Sequence, residues 1–459
     1  MGIQTRAISV VRHVCDRIRV SRWWLRTSWI VVCLLYLREA RHFAYTIVRQ
    51  WPTARGYEYE WIASTLASGH GYAFSSGHMW LGPYPDGSLS AWTDPFQTFI
   101  IAASFYLFGE YGRLVLVLLN VLWVVATALV VALCCRRAST LNISLLTAAS
   151  FFLGQLHISN PWLYIGNVAL AMFLFSLCAL CLIRALEASE FRRVLTLGVV
   201  IGITNLAHAA SILFGPAAAA ILLARWGVRR AVAWRSAVAV TVLPLMIVAP
   251  WAARNYLTFH EFVPIRTGFG WQLYIGNVAL AMTLAEDRSD NRQAAPPWTA
   301  TSPREAVRLI RDLDHEAALR GYARELEVAK APVHYASYNE AQRDRYFGSL
   351  AAAFMRENPG LVAQLVFWRL QSFFFGWDVF TTIITLCALA GMLAKWRDLR
   401  AVGLCALICV YTLPYALSVV FYFRYRAPID PIMFMLIGFL LSATHTIRPN
   451  PLPADSEVT

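Results

Sequence analysis

Apolar runs long enough to cross a bilayer recur from one end of this chain to the other, and that pattern leaves few folds open. Leu114–Cys135, Leu163–Ile183, Ser236–Ala253, Val402–Phe421 and Pro428–Ala443 are all close to the roughly 20 residues a helix needs to span a hydrocarbon core. Lipid offers backbone amides no partners, so such runs fold as helices whose hydrogen bonds close internally. Composition agrees: 58% of the residues are hydrophobic and only 15% charged. The fold class is therefore an all-α polytopic membrane protein.

The charges then orient the spans. The chain carries a formal net charge of +13, mostly as Arg in short loops between spans. That placement fits the positive-inside rule and excludes a nucleic-acid partner. A basic arm with Arg6, Arg12, Arg17, Arg19 and Arg22 precedes the first span, at about Trp23–Val48. Arg136 and Arg137, then Arg184, Arg192 and Arg193, then Arg225, Arg229, Arg230 and Arg235, and finally Lys395, Arg397 and Arg400 all fall inside if the spans alternate. The pattern gives about ten spans, with both termini cytoplasmic. Arg424 and Arg426 are the exception, in a short external turn. No cleavable signal peptide is evident. The nine cysteines avoid the large external loops, so no disulfide framework is expected. Cys178 and Cys181, in an apolar helix, read as small buried side chains.

Three parts follow. Residues 1–253 form a transmembrane module with a first external loop at about 45–112. Residues 254–377 form a second external region, and 378–459 hold the last spans and a cytoplasmic tail. In the first loop, Arg55–Tyr72 (RGYEYEWIASTLASGHGY) carries two carboxylates, Glu58 and Glu60. Asp94–Phe108 is apolar but too short to span, which predicts a helix at the interface. In the second region Pro303–Ala329 has helical spacing, and Asn339–Met355 and Pro359–Phe375 read as amphipathic interface helices. Arg38 and Glu39, in the outer half of the first span, either snorkel or border a wet cavity. His208, between two short spans, is a packed interfacial histidine or a cavity residue. Tyr57 and the tryptophans Trp61, Trp80 and Trp92 suit sugar stacking and an interfacial aromatic belt equally well. The segment LYIGNVALAM occurs at Leu163–Met172 and again at Leu273–Met282, without matching flanks.

Taken in order, these stretches resemble the GT-C glycosyltransferases, and among them bacterial relatives of the dolichyl-phosphate-mannose protein mannosyltransferases and of the aminoarabinose lipid A transferases. The resemblance rests on an acidic residue ahead of Ile62-Ala63, Leu66-Ala67, Gly69 and Gly71-Tyr72. It continues with the proline-led helix from Pro95 to Phe108-Gly109, and then with Asn120, Pro250–Asn277 and Arg424–Pro431 (RYRAPIDP). Asp94-Pro95 stands where the family usually has a double proline.

The resemblance implies a GT-C-like fold and sugar transfer from a polyprenyl-phosphate donor to a lipid, glycan or protein acceptor. The reaction would be a single inverting displacement, on the periplasmic face of a bacterial inner membrane. Such chemistry needs a base for the acceptor hydroxyl. Glu58 and Glu60 are the candidates, and Glu58 better matches the family's acid. It also needs cations for the departing phosphate, for which Arg424, Arg426 and Arg254 are the candidates. Metal-ligand spacing is absent from the His, Asp and Glu positions, and a divalent cation bridging the donor phosphate is the one cofactor the chemistry leaves room for. Two other readings use the same architecture: a transporter or flippase of a lipid-linked glycan, and a glycan polymerase or ligase using a lipid-diphosphate donor.

Overall fold

The computed structural model of the chain describes residues 58–74, 87–158, 166–188, 190–279, 337–375, 379–418 and 423–445, with isolated positions in the first expected span. Arg38, Glu39, Tyr57, Trp80 and the helix expected at Pro303–Ala329 lie outside the described residues.

The segment expected as the first external loop, and so labelled below, opens with α1 (Glu58–Ala67). Its two acids sit in the first turn, where the helix dipole favours negative charge. Gly69, at φ +83°, ends it in the left-handed conformation that a side chain would resist. The chain then forms a short antiparallel pairing, with Phe74 N donating to Ser88 O and Ser90 N to Tyr72 O. Next comes α2 (Pro95–Phe108), which packs on α1. Gly109, again at positive φ, closes α2, and a 3-10 turn leads into α3 (Gly112–Arg136).

The bundle continues with α4 (Leu141–Ile158), α5 (Val168–Glu187), α6 (Phe191–Ala207), α7 (Phe214–Trp226) and α8 (Ala231–Phe259). The centre is α5, apolar on every face and buried along almost its whole length against α3, α6 and a later helix, as a helix without a polar face must be. The break between α6 and α7 falls at His208, as the sequence implies. Arg254 is not beyond its span as expected. It lies inside α8, which runs on to Phe259.

The second external region contributes α9 (Phe269–Tyr274) and a π-turn at Ile275–Ala279. It then supplies α10 (Glu340–Glu357), with an Asn339/Gln342 capping box, and α11 (Pro359–Phe375). The chain closes with α12 (Val379–Ala394), α13 (Leu399–Ser418), α14 (Phe423–Arg426) and α15 (Asp430–His445). Among the described residues five helical stretches are long and apolar enough to cross a membrane, or six if α11 and α12 are one bent span. The expected count of about ten also included the first span, outside the described residues, and the shorter apolar helices Leu141–Gln155 and Ala427–Ser442.

The structure gives the LYIGNVALAM repeat a shared local role. In the first copy Asn167 donates to Ala207 O, the last carbonyl of α6, at 3.2 Å. In the second, Asn277 donates to Leu417 O, near the end of α13, at 2.9 Å. Each Asn brings its side-chain amide against a carbonyl in the last turn of a neighbouring helix.

Candidate functional site

The site is built around Asp94, whose side chain does not cap α2, the helix it precedes. An Asp immediately before a helix ordinarily turns its carboxylate onto the helix's first amides. Here it makes no such bond. Its oxygens go to residues from other elements instead. Oδ2 accepts from the Tyr59 hydroxyl on α1 at 2.5 Å and from Asn167 Nδ2, ahead of α5, at 2.8 Å. Oδ1 accepts from Ala209 N, past the α6 break, at 2.9 Å. The Arg266 guanidinium lies 3.5 Å from Oδ2. With the Asp94 side chain only 1% exposed, these donors are what make a buried carboxylate tolerable.

The network extends inward. Asn167 Nδ2 lies 2.6 Å from His208 Nδ1, and His208 Nε2 is 3.1 Å from both the Tyr411 and Tyr415 hydroxyls on α13. Tyr411 in turn donates to Tyr425 O. His208 therefore belongs to a polar chain that ties the first external loop to the last external turn.

Arg266 faces outward from this chain, between α8 and α9. Its side chain is 30% exposed. Its one hydrogen bond among the described residues is from Nε to Thr267 O, at 3.3 Å. Burial works against its charge, but Asp94, Tyr59, Tyr425 and Glu58 lie within electrostatic reach and together push its pKa above the usual guanidinium range. Glu58, at the start of α1, is the weakest of these contributors.

Glu60 points elsewhere. It is paired with Arg113 at the start of α3, on the face of α1 that borders a groove of about 790 Å³ lined also by Trp61, Ser64, Phe105 and Glu110. The two carboxylates are separated as their i, i+2 spacing in a helix requires.

Two of the three arginines expected at the phosphate, Arg426 and Arg254, are bonded within the protein itself. Arg426 is 2% exposed; its Nε bonds Asp430 Oδ1 at 3.1 Å and its other nitrogens donate to Phe374 O, Thr381 O and Thr385 Oγ1. Arg254 donates to Ser90 O and Tyr72 O and lies over the rings of Tyr72 and Trp251, which staples the first external loop to α8. The Arg424 side chain lies outside the described residues.

Two further buried acids support Arg266 from α10. Glu340 accepts from Ser90 Oγ, Ala91 N and Thr267 Oγ1. Asp344 accepts from Trp271 N. Burial pushes both carboxyls up, against these donors. Residues 266–271 are held between α10 and the first external loop as a result.

Residues 93–253, from the residue before Asp94 to the one before Arg254, match the family model of the dolichyl-phosphate-mannose-protein mannosyltransferases. Curated proteins gave no match. Among solved structures, the archaeal oligosaccharyltransferase AglB from Archaeoglobus fulgidus, in complex with an inhibitory peptide and a dolichol-phosphate, is similar at 15% identity with a TM-score of 0.49, over 92% of this chain and 50% of that one. The Archaeoglobus fulgidus oligosaccharyltransferase tethered to an acceptor peptide is similar at 13% identity and a TM-score of 0.48, over 91% and 49%. Its complex with Zn and sulfate gives 14% and 0.45, over 84% and 44%. The chain spans about half the length of these structures.

Proposed function

We propose that this chain, a membrane glycosyltransferase of the GT-C superfamily by its 93–253 segment, moves a sugar from a polyprenyl-phosphate donor to a hydroxyl acceptor outside the membrane. The observation that carries the reading is the partly exposed Arg266 guanidinium held beside the buried Asp94, a cation for the leaving phosphate, with Glu58 within its electrostatic reach as the anion for the acceptor proton. The acceptor oxygen attacks the anomeric carbon as the bond from that carbon to the phosphate oxygen breaks. Glu58 takes the hydroxyl proton. The electron pair leaves on the phosphate, and Arg266 stabilises the charge that gathers there. One displacement inverts the anomeric centre. Arg266 takes the role that the sequence alone gave to Arg254, Arg424 and Arg426. The transferred sugar is a hexose or pentose, and the site faces the periplasm of a bacterial inner membrane.

The test is native mass spectrometry of the detergent-purified protein with polyprenyl monophosphate and polyprenyl diphosphate. The reading expects the monophosphate to bind preferentially, and Arg266→Ala to abolish that binding while Arg254→Lys keeps it. Preference for the diphosphate would point to a polymerase or ligase. Binding of neither would sink the donor assignment.

A further inference from the structure

We infer that Asp94 sets the affinity of Arg266 for the lipid phosphate: it is the resident anion against which the phosphate competes. The inference rests on the reading of Arg266 given above. Three observations carry it. The Asp94–Arg266 contact is 3.5 Å, longer than the 2.7–2.9 Å of a tight charge-assisted bond. Asp94 instead directs its short bonds to Tyr59, Asn167 and Ala209 N, which hold it in place and drain its charge. Arg266 stays 30% exposed, with a single hydrogen bond to its neighbour's carbonyl among the described residues.

A guanidinium gripped by a bidentate carboxylate would have no fork left for a phosphate. One with no carboxylate nearby would retain the product, polyprenyl phosphate, as firmly as the donor. Asp94 stands between these extremes. Its charge keeps Arg266 aimed, and its distance leaves the guanidinium able to turn to a stronger anion and be drawn back when that anion leaves. Interactions equal in substrate and product lower KM without helping turnover, so an opposing charge favours release. In this account Asp94 is a positioning residue, not a catalytic one.

The account predicts effects of opposite sign from two conservative variants, which a merely structural role would not give. Asp94→Asn removes the opposing charge and should tighten binding of polyprenyl monophosphate by about tenfold or more, the scale of one unit charge several ångströms away at an effective dielectric near 20. Tyr59→Phe removes the shortest bond to Asp94, frees its charge for Arg266, and should weaken the same binding several-fold. Adding Arg266→Ala should erase both effects. Binding is measured by microscale thermophoresis on the full chain in detergent, with melting temperature followed alongside. If Asp94→Asn does not fold, the sign of Tyr59→Phe still decides. Weaker or unchanged binding in Asp94→Asn, or tighter binding in Tyr59→Phe, overturns the inference. Failure of the wild type to bind polyprenyl monophosphate would instead defeat the functional reading beneath it.

Discussion

Replacing Arg426 with Ala should damage the fold rather than the donor site, and the structure sets the size of the effect. The Arg426 and Asp430 side chains are 2% and 6% exposed and bonded at 3.1 Å. The guanidinium also reaches Phe374 O at the end of α11 and Thr381 O and Thr385 Oγ1 in the first turns of α12, so it fastens those two helices to the start of α15. Truncating one partner of such a buried pair costs about 3–5 kcal/mol. Several acceptors lose a donor in the same step, each worth about 1 kcal/mol. The double variant Arg426→Met/Asp430→Leu should recover most of the loss, because an apolar pair of similar volume carries no desolvation cost. Thermal unfolding in detergent, followed by fluorescence-detected size exclusion, compares wild type, Arg426→Ala and the double variant. An Arg426→Ala protein as stable as wild type that no longer binds polyprenyl monophosphate would refute this reasoning and return Arg426 to the donor site.

Other outcomes follow from the same coordinates. A Cβ at Gly391 would collide with the Leu436 carbonyl where α12 crosses α15, so Gly391→Ala should destabilise by about 1–3 kcal/mol, read from the melting temperature. Burial raises the Glu340 carboxyl above its ordinary value. The folded state therefore holds the proton more tightly than the unfolded chain, and stability present at mildly acidic pH is lost as pH rises through the raised value. Melting temperature should fall from acidic to neutral pH, and Glu340→Gln should flatten that slope, with the part due to Asp344 remaining. The Glu60–Arg113 pair is partly exposed, at 13% and 35%. Arg113→Ala should cost less than about 1 kcal/mol, measured by the same melts.

The bundle was legible in the sequence because its signals are local. Apolar runs give α3, α5 and α8 directly, and the polar interruption at His208 marks the break between α6 and α7. Arg-Asn-Tyr looks like a helix end, yet α8 runs on to Phe259, and the Arg254 guanidinium reaches carbonyls of Tyr72 and Ser90.

The site was less legible because its residues meet only in three dimensions. Asp94 is separated in sequence from Tyr59 and Asn167 by 35 and 73 positions, and Asp-Pro reads as nothing more than a helix start. Its one local signal is a departure: an acid standing where the family pattern has proline. Arg426 and Arg266 cannot be told apart by composition, since what differs is whether the surrounding carbonyls already use the guanidinium. The Glu58–Glu60 alternative is the case where spacing did carry information. Two positions apart in a helix, they share no face, and Glu60 pairs with Arg113 at the start of α3.

The most direct measurement is donor hydrolysis, with water as acceptor, across a panel of polyprenyl-phosphate hexoses and pentoses, comparing wild type with Glu58→Gln and Glu60→Gln. The account predicts that Glu58→Gln lowers sugar release by about 10²–10⁴-fold while still binding polyprenyl monophosphate, and that Glu60→Gln stays within a few-fold of wild type. Full activity in Glu58→Gln, or a loss confined to Glu60→Gln, would contradict it.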